Sequence, residues 1–376
     1  MVAEARATFA IIAGGGTAGH VWPGLAVAKA LVAAGHAPGS VHFVGSTSGI
    51  EARLVPDAGF DVTLLPGRGL QRRVTAANLR ASWGLARAAA RSVSLVARRR
   101  PAVVLALGGY ASVPCGMAAV LRRVPLVVHE QNAVPGAANR LLARFARAAA
   151  VSFPGTDLPR PTVTGNPVRD EVLAVDRRRD RLSARQALGL PADRFVIAAF
   201  GGSLGALRIN QAVWGAVPAW TGGTELAVRH VVGRRDWPAM TTEASSEQPA
   251  GLVYQPVEYE ERMPLVLAAA DLAVCRAGAT TVAELSVVGV PSVLVPLPGA
   301  PGDHQTANAR HLERAGAAVL VADRDLTPER LVEVVESLRS DGPRLEAMSR
   351  AATSCAVRDA AARVAALVEE HARRGG

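Results

Sequence analysis

The stretch TFAIIAGGGTAGH, residues 8–20, places a short apolar strand in front of a glycine turn and the start of a helix. Its turn contains G-x-G-x-x-G, the spacing with which a strand–turn–helix unit can bind a phosphate. A dinucleotide-binding domain also needs an acidic residue at the end of its second strand, but here that strand ends Val44-Gly45-Ser46-Thr47. The stretch therefore argues against a dehydrogenase, and alone it fits a packing turn as well as a phosphate site.

Short apolar runs and Ala-rich amphipathic stretches alternate along nearly the whole chain. Because parallel strands need crossover helices, this alternation predicts an α/β protein with doubly wound parallel sheets. A second glycine turn, at 201–205, follows the first strand of the second half. Strands are predicted at 8–13, 41–44, 103–107, 126–129, 195–200, 227–232, 272–275, 292–295 and 318–321. Helices are predicted at 25–34, 139–149, 177–188, 327–338 and 351–373.

A length of 376 residues indicates two domains, at roughly 150 residues each. Prolines and glycines interrupt every periodic pattern between 152 and 169. We therefore place the first domain at 1–166 and the second at 167–351. The C-terminal helix, 352–376, could pack on either domain, including back on the first.

Composition excludes several classes of protein. Hydrophobic residues make up 49% of the chain, which is too many for a disordered protein. The sequence has no GK[ST] tripeptide, so it lacks a Walker-type phosphate loop. Its three cysteines are far apart, which is typical of a reduced cytosolic protein. Since metal-ligand spacings such as H-x-x-x-H and C-x-x-C are also missing, we expect no metal and no cofactor.

Positive charge is concentrated in one segment of a chain whose net charge is +10. Nine arginines and no acidic residue lie from Arg68 to Arg100, with apolar residues among them. A solvated helix face is one explanation, and we slightly prefer docking on an anionic membrane surface. Nucleic acid is not expected as a partner because no recognised binding motif accompanies the segment. No segment is predicted to span a membrane.

Polar side chains follow several predicted strands, where a parallel sheet binds its ligands. His129-Glu130-Gln131-Asn132 would be costly to bury without a partner, which favours a functional role. Ser203 adds a hydroxyl to the second glycine turn, at a helix start that favours phosphate. Glu284 could accept hydrogen bonds from both ribose hydroxyls, or it could only complement the dipole of its helix. These two interpretations of Glu284 stay open.

Together these motifs resemble the MurG family of peptidoglycan N-acetylglucosaminyltransferases. The resemblance rests on GGGTAGHVWPGLAVA at 14–28, GGYASVP at 108–114, HEQNAVPGAANR at 129–140, TGNPVR at 164–169, GGSLGALRINQ at 201–211, RAGATTVAE at 276–284 and DHQTANA at 303–309. It implies a GT-B fold, in which two Rossmann-like domains face a cleft. It also implies transfer of N-acetylglucosamine from UDP-N-acetylglucosamine to lipid I, which makes lipid II, with no metal site.

The resemblance also assigns roles by position. Contacts with the donor sugar and diphosphate are implied for Thr17, Ala18, Gly19 and Asn132. Arg169 and Ser203 would hold the diphosphate, and Glu284 the ribose. The turn that would meet the nucleotide consists of Ala279, Thr280, Thr281, Val282 and Ala283. Glu260 stands where the backbone would read uracil, Gln305 would read the sugar hydroxyls, and Gly109 and Tyr110 lie on the acceptor side. Ala18 and Trp22 replace residues that are Gly and Phe in many relatives.

An inverting displacement needs a base for the proton of the acceptor hydroxyl. His20 is our candidate, because an imidazole titrates near neutral pH, and Glu130 and His129 are the alternatives. The expected partners are UDP-N-acetylglucosamine, lipid I and an anionic membrane surface, at the cytoplasmic face of the cell membrane. A sugar-nucleotide epimerase and a non-catalytic nucleotide sensor are the competing functions.

Overall fold

The computed structural model describes residues 8–47, 49–66, 76–202, 205–221, 225–239 and 251–373, apart from the side chains of residues 18, 76–83 and 85. The chain divides into two compact units. The first comprises Met1–Arg169 together with Val357–Gly376, and the second comprises Asp170–Ala356.

A seven-stranded parallel sheet forms the centre of the first unit, in the order β3-β2-β1-β4-β5-β6-β7. Its strands are β1 (Ala10–Gly14), β2 (Val41–Ser46), β3 (Asp61–Leu65), β4 (Val103–Gly108), β5 (Leu126–Glu130), β6 (Ala148–Val151) and β7 (Pro161–Val163). Ala10 pairs with Val41 on one side and with Val103 on the other, so β1 is central. The inner strands are buried along their whole length, as expected for a sheet covered on both faces.

Helices cover both faces of this sheet, and each face has its own core. They are α1 (Ala18–Ala33), α2 (Glu51–Asp57), α3 (Ala76–Arg99), α4 (Ser112–Leu121) and α5 (Ala137–Ala143). Neighbouring strand residues point to opposite faces. Ile11 therefore packs with Leu95 and Leu142 in one core, while Ile12 packs with Leu31 in the other.

A six-stranded parallel sheet forms the second unit, in the order β10-β9-β8-β11-β12-β13. Its strands are β8 (Phe195–Phe200), β9 (Leu226–Val231), β10 (Val253–Val257), β11 (Leu272–Cys275), β12 (Ser292–Leu294) and β13 (Ala318–Leu320). The helices are α6 (Asp170–Leu173), α7 (Arg177–Ala187), α8 (Leu207–Ala216), α9 (Met263–Ala269), α10 (Ala279–Val288), α11 (His304–Arg314), α12 (Pro328–Arg339) and α13 (Gly342–Ser354). Ile197, Ile209 and Val335 pack together in its core.

The last helix, α14 (Ala360–His371), belongs to the first unit. Its apolar face contributes Val364 and Val368 to the core that contains Ile12 and Leu31. On its outer side, Glu369 lies 2.9 Å from Nε2 of His36.

Two helix predictions were wrong. The predicted helix at 139–149 ends at Ala143, and residues 148–151 form β6, because burial between β5 and β7 outweighs the helix propensity of three alanines. The predicted helix at 351–373 is two helices, since the chain passes from the second unit to the first between Ala356 and Val357. Strands β3, β6, β7 and β10 were not predicted.

Whether a helix of this fold could cross a membrane also bears on function. Among the described residues, no helix combines the length and the apolar composition needed to cross a bilayer.

Candidate active site

The carboxyl ends of β1, β4 and β5 bring three of the predicted motifs to one edge of the first sheet. Gly14 at the end of β1 pairs with Gly108 at the end of β4. His129 and Glu130 end the next strand, β5. In parallel α/β sheets this edge is where ligands bind, so the geometry makes it the candidate site of the first unit.

His20 lies in the first turn of α1, directly beyond the first glycine turn. Its Nδ1 atom lies 3.0 Å from the hydroxyl oxygen of Thr17, the residue at the N-cap position of the helix. Its Nε2 atom faces Gly108, where a Cβ atom would come within 3.1 Å of it. The imidazole is thus oriented by a hydroxyl on one nitrogen and lies against a glycine of β4 on the other.

The two glycines at the end of β4 permit this close approach. Gly108 and Gly109 adopt φ angles of 94° and 77°, in the left-handed region that favours glycine. A Cβ atom at Gly109 would come within 2.5 Å of the carbonyl oxygen of Gly15. The GGY motif and the first glycine turn therefore pack directly on each other, which the sequence alone did not indicate.

Glu51, which belongs to none of the sequence motifs, lies inside the first glycine turn. Its carboxylate accepts a hydrogen bond from the Gly16 amide at 2.8 Å and another from the Ser46 amide at 2.7 Å. The side chain is buried at the start of α2. The Gly16 amide thus already has an anionic acceptor from within the chain.

Glu130 is buried and accepts hydrogen bonds from three residues. The amide and side-chain nitrogens of Asn132 donate to Oε1 at 2.9 and 3.2 Å. The amide of Gly136 and Nδ2 of Asn139 donate to Oε2 at 3.0 and 2.8 Å. With four donors on its two oxygens, this carboxylate organises the loop after β5, and that arrangement favours His20 over Glu130 as the base.

His129 is fully buried on the same strand. The side-chain nitrogen of Gln131 lies 3.0 Å from Nδ1 of His129 and also donates to the carbonyl of Leu107 at 3.1 Å. Burial is the main cause that lowers the pKa of His129 to about 4; nearby His20 lowers it further, while a hydrogen bond with the Gly165 backbone opposes the shift. His129 is therefore neutral at physiological pH and poorly suited to accept a proton.

Tyr110 and Arg169 are two further predicted site residues of this unit. The Tyr110 hydroxyl donates to the carbonyl of Pro66 at 2.9 Å, and burial raises the pKa of this phenol. The Arg169 guanidinium stacks 5.0 Å from the centre of the Trp22 ring. Arg169 is the last residue of the first unit, and Trp22 belongs to helix α1, which also carries His20.

In the second unit, the glycine turn after β8 is supported from below by polar side chains. The Gly205 amide donates to the carbonyl of Gly202 at 3.0 Å. Under the turn, buried Asn210 donates to Asp236 at 3.0 Å and to the Val232 carbonyl at 3.0 Å. Ser203, predicted to hold the diphosphate, lies outside the described residues, as does Leu204.

The turn after β11 leads into α10, which carries the residues predicted to meet the nucleotide. Gly278 occupies the N-cap position and provides no side-chain cap. The hydroxyl oxygen of Thr280 is buried without a hydrogen-bond partner among the described residues. Glu284 is buried and lies beyond the first helical turn, where the helix dipole has little effect, so the alternative role in complementing the dipole is weakened. The remaining residues of this turn are Ala279, Thr281, Val282 and Ala283.

Two further predicted residues follow other strands of this sheet. The side-chain oxygen Oε1 of Gln305 accepts from the backbone amides of Ala277 and Leu297 at 3.2 and 3.0 Å, which fixes this side chain beside the α10 turn. Glu260 is paired with Arg229 at 2.5 Å. Burial alone would raise the pKa of Glu260, but hydrogen bonds from Arg229 and from the Arg262 amide lower it.

Asp323, an acidic residue of the kind that binds metal ions, has a partner within the chain. The D-x-D stretch at 323–325 contributes Asp323 to an ion pair with Arg276 at 2.5 Å. No three His, Cys, Asp or Glu side chains come together as a metal would require anywhere in the part of the chain that the structure describes.

The arginine-rich segment is described in part. Residues 67–75, including Arg68, lie outside the described residues, as do the side chains of 76–83 and 85. Arg87, Arg91, Arg98 and Arg100 are exposed along and just beyond α3. Helix α4 packs beside α3 and exposes 69% of Leu121, and its neighbour α5 is followed by Phe145, which is 50% exposed.

Comparison with known proteins extends over nearly the whole chain. Residues 10–151 match the glycosyltransferase family 28 N-terminal domain, and residues 196–364 match the family 28 C-terminal domain. A relative from Desulforudis audaxviator is 39% identical over 375 residues, which cover 97% of this chain and 99% of that protein. A relative from Nocardioides sp. is 43% identical over 360 residues, covering 96% and 97%. Both are named UDP-N-acetylglucosamine--N-acetylmuramyl-(pentapeptide) pyrophosphoryl-undecaprenol N-acetylglucosamine transferase.

A solved structure agrees with these relatives. The crystal structure of Acinetobacter baumannii MurG is 30% identical, with a TM-score of 0.75, and covers 96% of this chain and 99% of that one. The predicted fold class, α/β of GT-B type with two Rossmann-like parallel-sheet domains, is confirmed. The chain belongs to the MurG family of N-acetylglucosamine transferases, within glycosyltransferase family 28.

Proposed function

We propose that the chain transfers N-acetylglucosamine from UDP-N-acetylglucosamine to lipid I (undecaprenyl-diphospho-N-acetylmuramyl-pentapeptide), producing lipid II for peptidoglycan synthesis. The observation that carries this proposal is the 39–43% identity, over nearly the full length, to relatives that bear the name of this transferase.

The reaction is an inverting displacement at the anomeric carbon of the donor sugar. The acceptor hydroxyl oxygen forms a bond to that carbon while the bond to the UDP oxygen breaks, and UDP leaves with the electron pair. His20 takes the proton from the attacking hydroxyl, and Thr17 orients the imidazole through the contact at Nδ1. Glu130 and buried His129 hold the surrounding loop and take no proton.

The second unit binds the nucleotide half of the donor. Glu284 accepts from the ribose hydroxyls, residues Ala279–Ala283 contact the nucleotide, Gln305 contacts the sugar, and the backbone at Glu260 contacts uracil. At the second glycine turn, Ser203 and the amides at the uncapped start of α8 meet the developing charge on the diphosphate. Arg169, Thr17, Ala18, Gly19 and Asn132 of the first unit complete the contacts with the diphosphate and sugar, and no step uses a metal ion.

The first unit also docks on the membrane that carries the acceptor lipid. Exposed Leu121 and Phe145 are accompanied by exposed Arg122, Arg123 and Arg144, and the segment from Arg68 to Arg100 adds further positive charge. Exposed apolar side chains that are next to exposed arginines in the sequence suit an anionic lipid surface. We accordingly propose that the protein lies peripherally on the cytoplasmic face of the cell membrane, with Gly109 and Tyr110 on the acceptor side.

Labelled UDP-N-acetylglucosamine and a lipid I analogue test the proposal. We expect a disaccharide product and UDP release that depends on the acceptor. His20→Ala is expected to lower kcat by about 10²- to 10⁴-fold, the usual contribution of a general base, while UDP affinity measured by calorimetry stays unchanged. Turnover of the donor without acceptor would indicate the epimerase instead, and donor binding without turnover would indicate the nucleotide sensor.

A further inference from the structure

Helix α1 starts without the local support that helix starts usually have. Thr17 occupies its N-cap position, yet no hydrogen bond from the Thr17 side chain caps the helix, and its first turn contains no acidic residue. The first amides of a helix carry partial positive charge and need acceptors. The Thr17 carbonyl accepts from the His20 amide at 3.1 Å, so what the helix start lacks is a carboxylate or a capping side chain of its own first turn.

Glu51, which comes from a different loop, brings a carboxylate to the backbone directly before this helix. One carboxylate oxygen binds the amide of Gly16, directly before Thr17, and the other binds the amide of Ser46 at the end of β2. Three glycines make room for it, because a Cβ atom at Gly15, Gly45 or Gly49 would overlap the Glu51 side chain. Buried carboxylates are costly unless they are hydrogen-bonded, and here both oxygens have amide donors.

We propose that Glu51 is a positioning residue for His20. Glu51 fixes the backbone at Gly16, and this backbone leads directly into Thr17 and the first turn of α1, from which His20 projects. Glu51 thus fixes the residue before the N-cap, while the Thr17 hydroxyl contacts the imidazole and does not cap the helix. The inference rests on the proposed function, in which His20 is the base.

The test combines a substitution with a double-mutant cycle. Glu51→Gln keeps the size of the side chain but places an NH₂ group against one of the two amides. We expect kcat for disaccharide formation to fall by about 10²-fold, as small misplacements of catalytic groups do, while the KM for UDP-N-acetylglucosamine stays within about twofold. In the His20→Ala background, Glu51→Gln is expected to cause no further loss, since the group that it positions is gone.

A second variant tests the inference without changing the charge at residue 51. It also keeps the inference testable if Glu51→Gln does not fold. Gly49→Ala pushes a Cβ atom into the Glu51 carboxylate while leaving the charge in place, and we expect the same loss of kcat and the same non-additivity with His20→Ala. The matched control is Glu369→Gln. Glu369 is a carboxylate of the same unit that contacts His36 and is not part of the candidate site, so we expect this variant to leave kcat unchanged.

The outcomes distinguish a failure of the positioning role of Glu51 from a failure of the proposed transferase function. If the losses from Glu51→Gln and His20→Ala multiply, or if Glu51→Gln raises KM and lowers kcat alike, Glu51 has only a structural role and the inference is overturned. If neither Glu51→Gln nor Gly49→Ala gives a folded protein by circular dichroism, the carboxylate serves stability, and the inference is again overturned. If the unsubstituted chain makes no disaccharide, the proposed function itself fails and the inference falls with it.

Discussion

The hydroxyl oxygen of Thr17 lies 3.0 Å from Nδ1 of His20, at the start of a helix that Thr17 does not cap through its side chain. An Nδ1–H that donates to this oxygen leaves the imidazole lone pair on Nε2, the nitrogen that faces Gly108. This tautomer is the one that can accept a proton at Nε2. The contact therefore links a residue of the glycine turn to the chemistry of the base.

Thr17→Val removes the hydroxyl while keeping the shape of the side chain. Losing one hydrogen bond that orients the base is expected to lower kcat by about tenfold, equivalent to about 1.4 kcal/mol. Because Thr17 is also proposed to contact the donor, the KM for UDP-N-acetylglucosamine is expected to rise as well, and the loss of kcat at saturating donor reports on His20. Thr17→Ser is the control, since it retains the oxygen and most of the activity. Unchanged kcat in Thr17→Val would show that the contact does not orient the imidazole.

Glu130→Gln tests whether this carboxylate is a structural centre. The amide group can accept at one oxygen only, so donors among Asn132, Gly136 and Asn139 lose their acceptor. We expect the free energy of unfolding of the first unit to fall by about 3 kcal/mol, measured by urea denaturation. Glu369→Gln, at a partly exposed pair, should cost less than about 1 kcal/mol. A variant of full stability that has lost its turnover would instead favour Glu130 as the base.

The sequence predicted most of both sheets because buried parallel strands are continuous apolar runs. It failed where tertiary packing overrides local preference. Residues 148–151 are three alanines and a valine. They form a strand because they pair with β5, and no local preference of theirs predicts it. Strand β7 is three exposed residues, including Pro161, and carries no apolar signal.

The candidate site shows the same limit. Motifs such as HEQN after β5 were visible because polar residues at a strand end are unusual. Glu51 was not visible, because its partner Gly16 is 35 residues away and nothing local distinguishes it from a surface glutamate at a helix start. The nearby Gly45 and Gly49 were the available signal, and their purpose becomes clear only when the carboxylate between them is seen.

The stability of the protein should depend on buried histidines below neutral pH. The pKa of His129 is lowered from 6.5 to about 4, mainly by burial, so the folded state binds fewer protons than the unfolded state in this window. Stability from this group is fully present above pH 6.5 and is lost as pH falls toward 4, by about 3 kcal/mol in all. Buried His42 and His230, whose pKa values are lowered to about 4 and about 3, act in the same direction.

Urea unfolding of the wild-type chain and of His129→Gln at pH 7 and pH 5 checks this dependence. The variant lacks one of the titrating groups, so its stability should change less between the two pH values. Identical changes in the two proteins would mean that His129 is not held neutral by burial.

Glu284 offers a test of nucleotide recognition that needs no acceptor. If its carboxylate binds the ribose hydroxyls, calorimetry should show that UDP binds about tenfold or more tightly than 2′-deoxy-UDP. The reason is that the deoxy ligand leaves part of a charged acceptor without a hydrogen-bond donor, which is costly. Glu284→Gln should weaken UDP binding and largely remove this preference. The exposed Glu333→Gln on α12 should leave both affinities unchanged. A preference for the ribose that survives in Glu284→Gln would remove the assigned role.

Membrane docking can be separated from nucleotide binding by substituting the exposed apolar side chains of the first unit. Leu121→Gln combined with Phe145→Gln removes two side chains that are 69% and 50% exposed beside exposed arginines. Each side chain that no longer inserts into the bilayer should cost about 1 kcal/mol or more of binding free energy. The affinity for vesicles that contain anionic lipid, measured by co-sedimentation, should therefore fall by about tenfold or more. Leu182→Gln, which alters a leucine 64% exposed on the second unit, is the matched control and should bind vesicles normally. Since neither substituted residue is among those proposed to bind UDP, the affinity for UDP should stay constant. Unaltered vesicle binding by the double variant would move the docking surface away from α4 and α5.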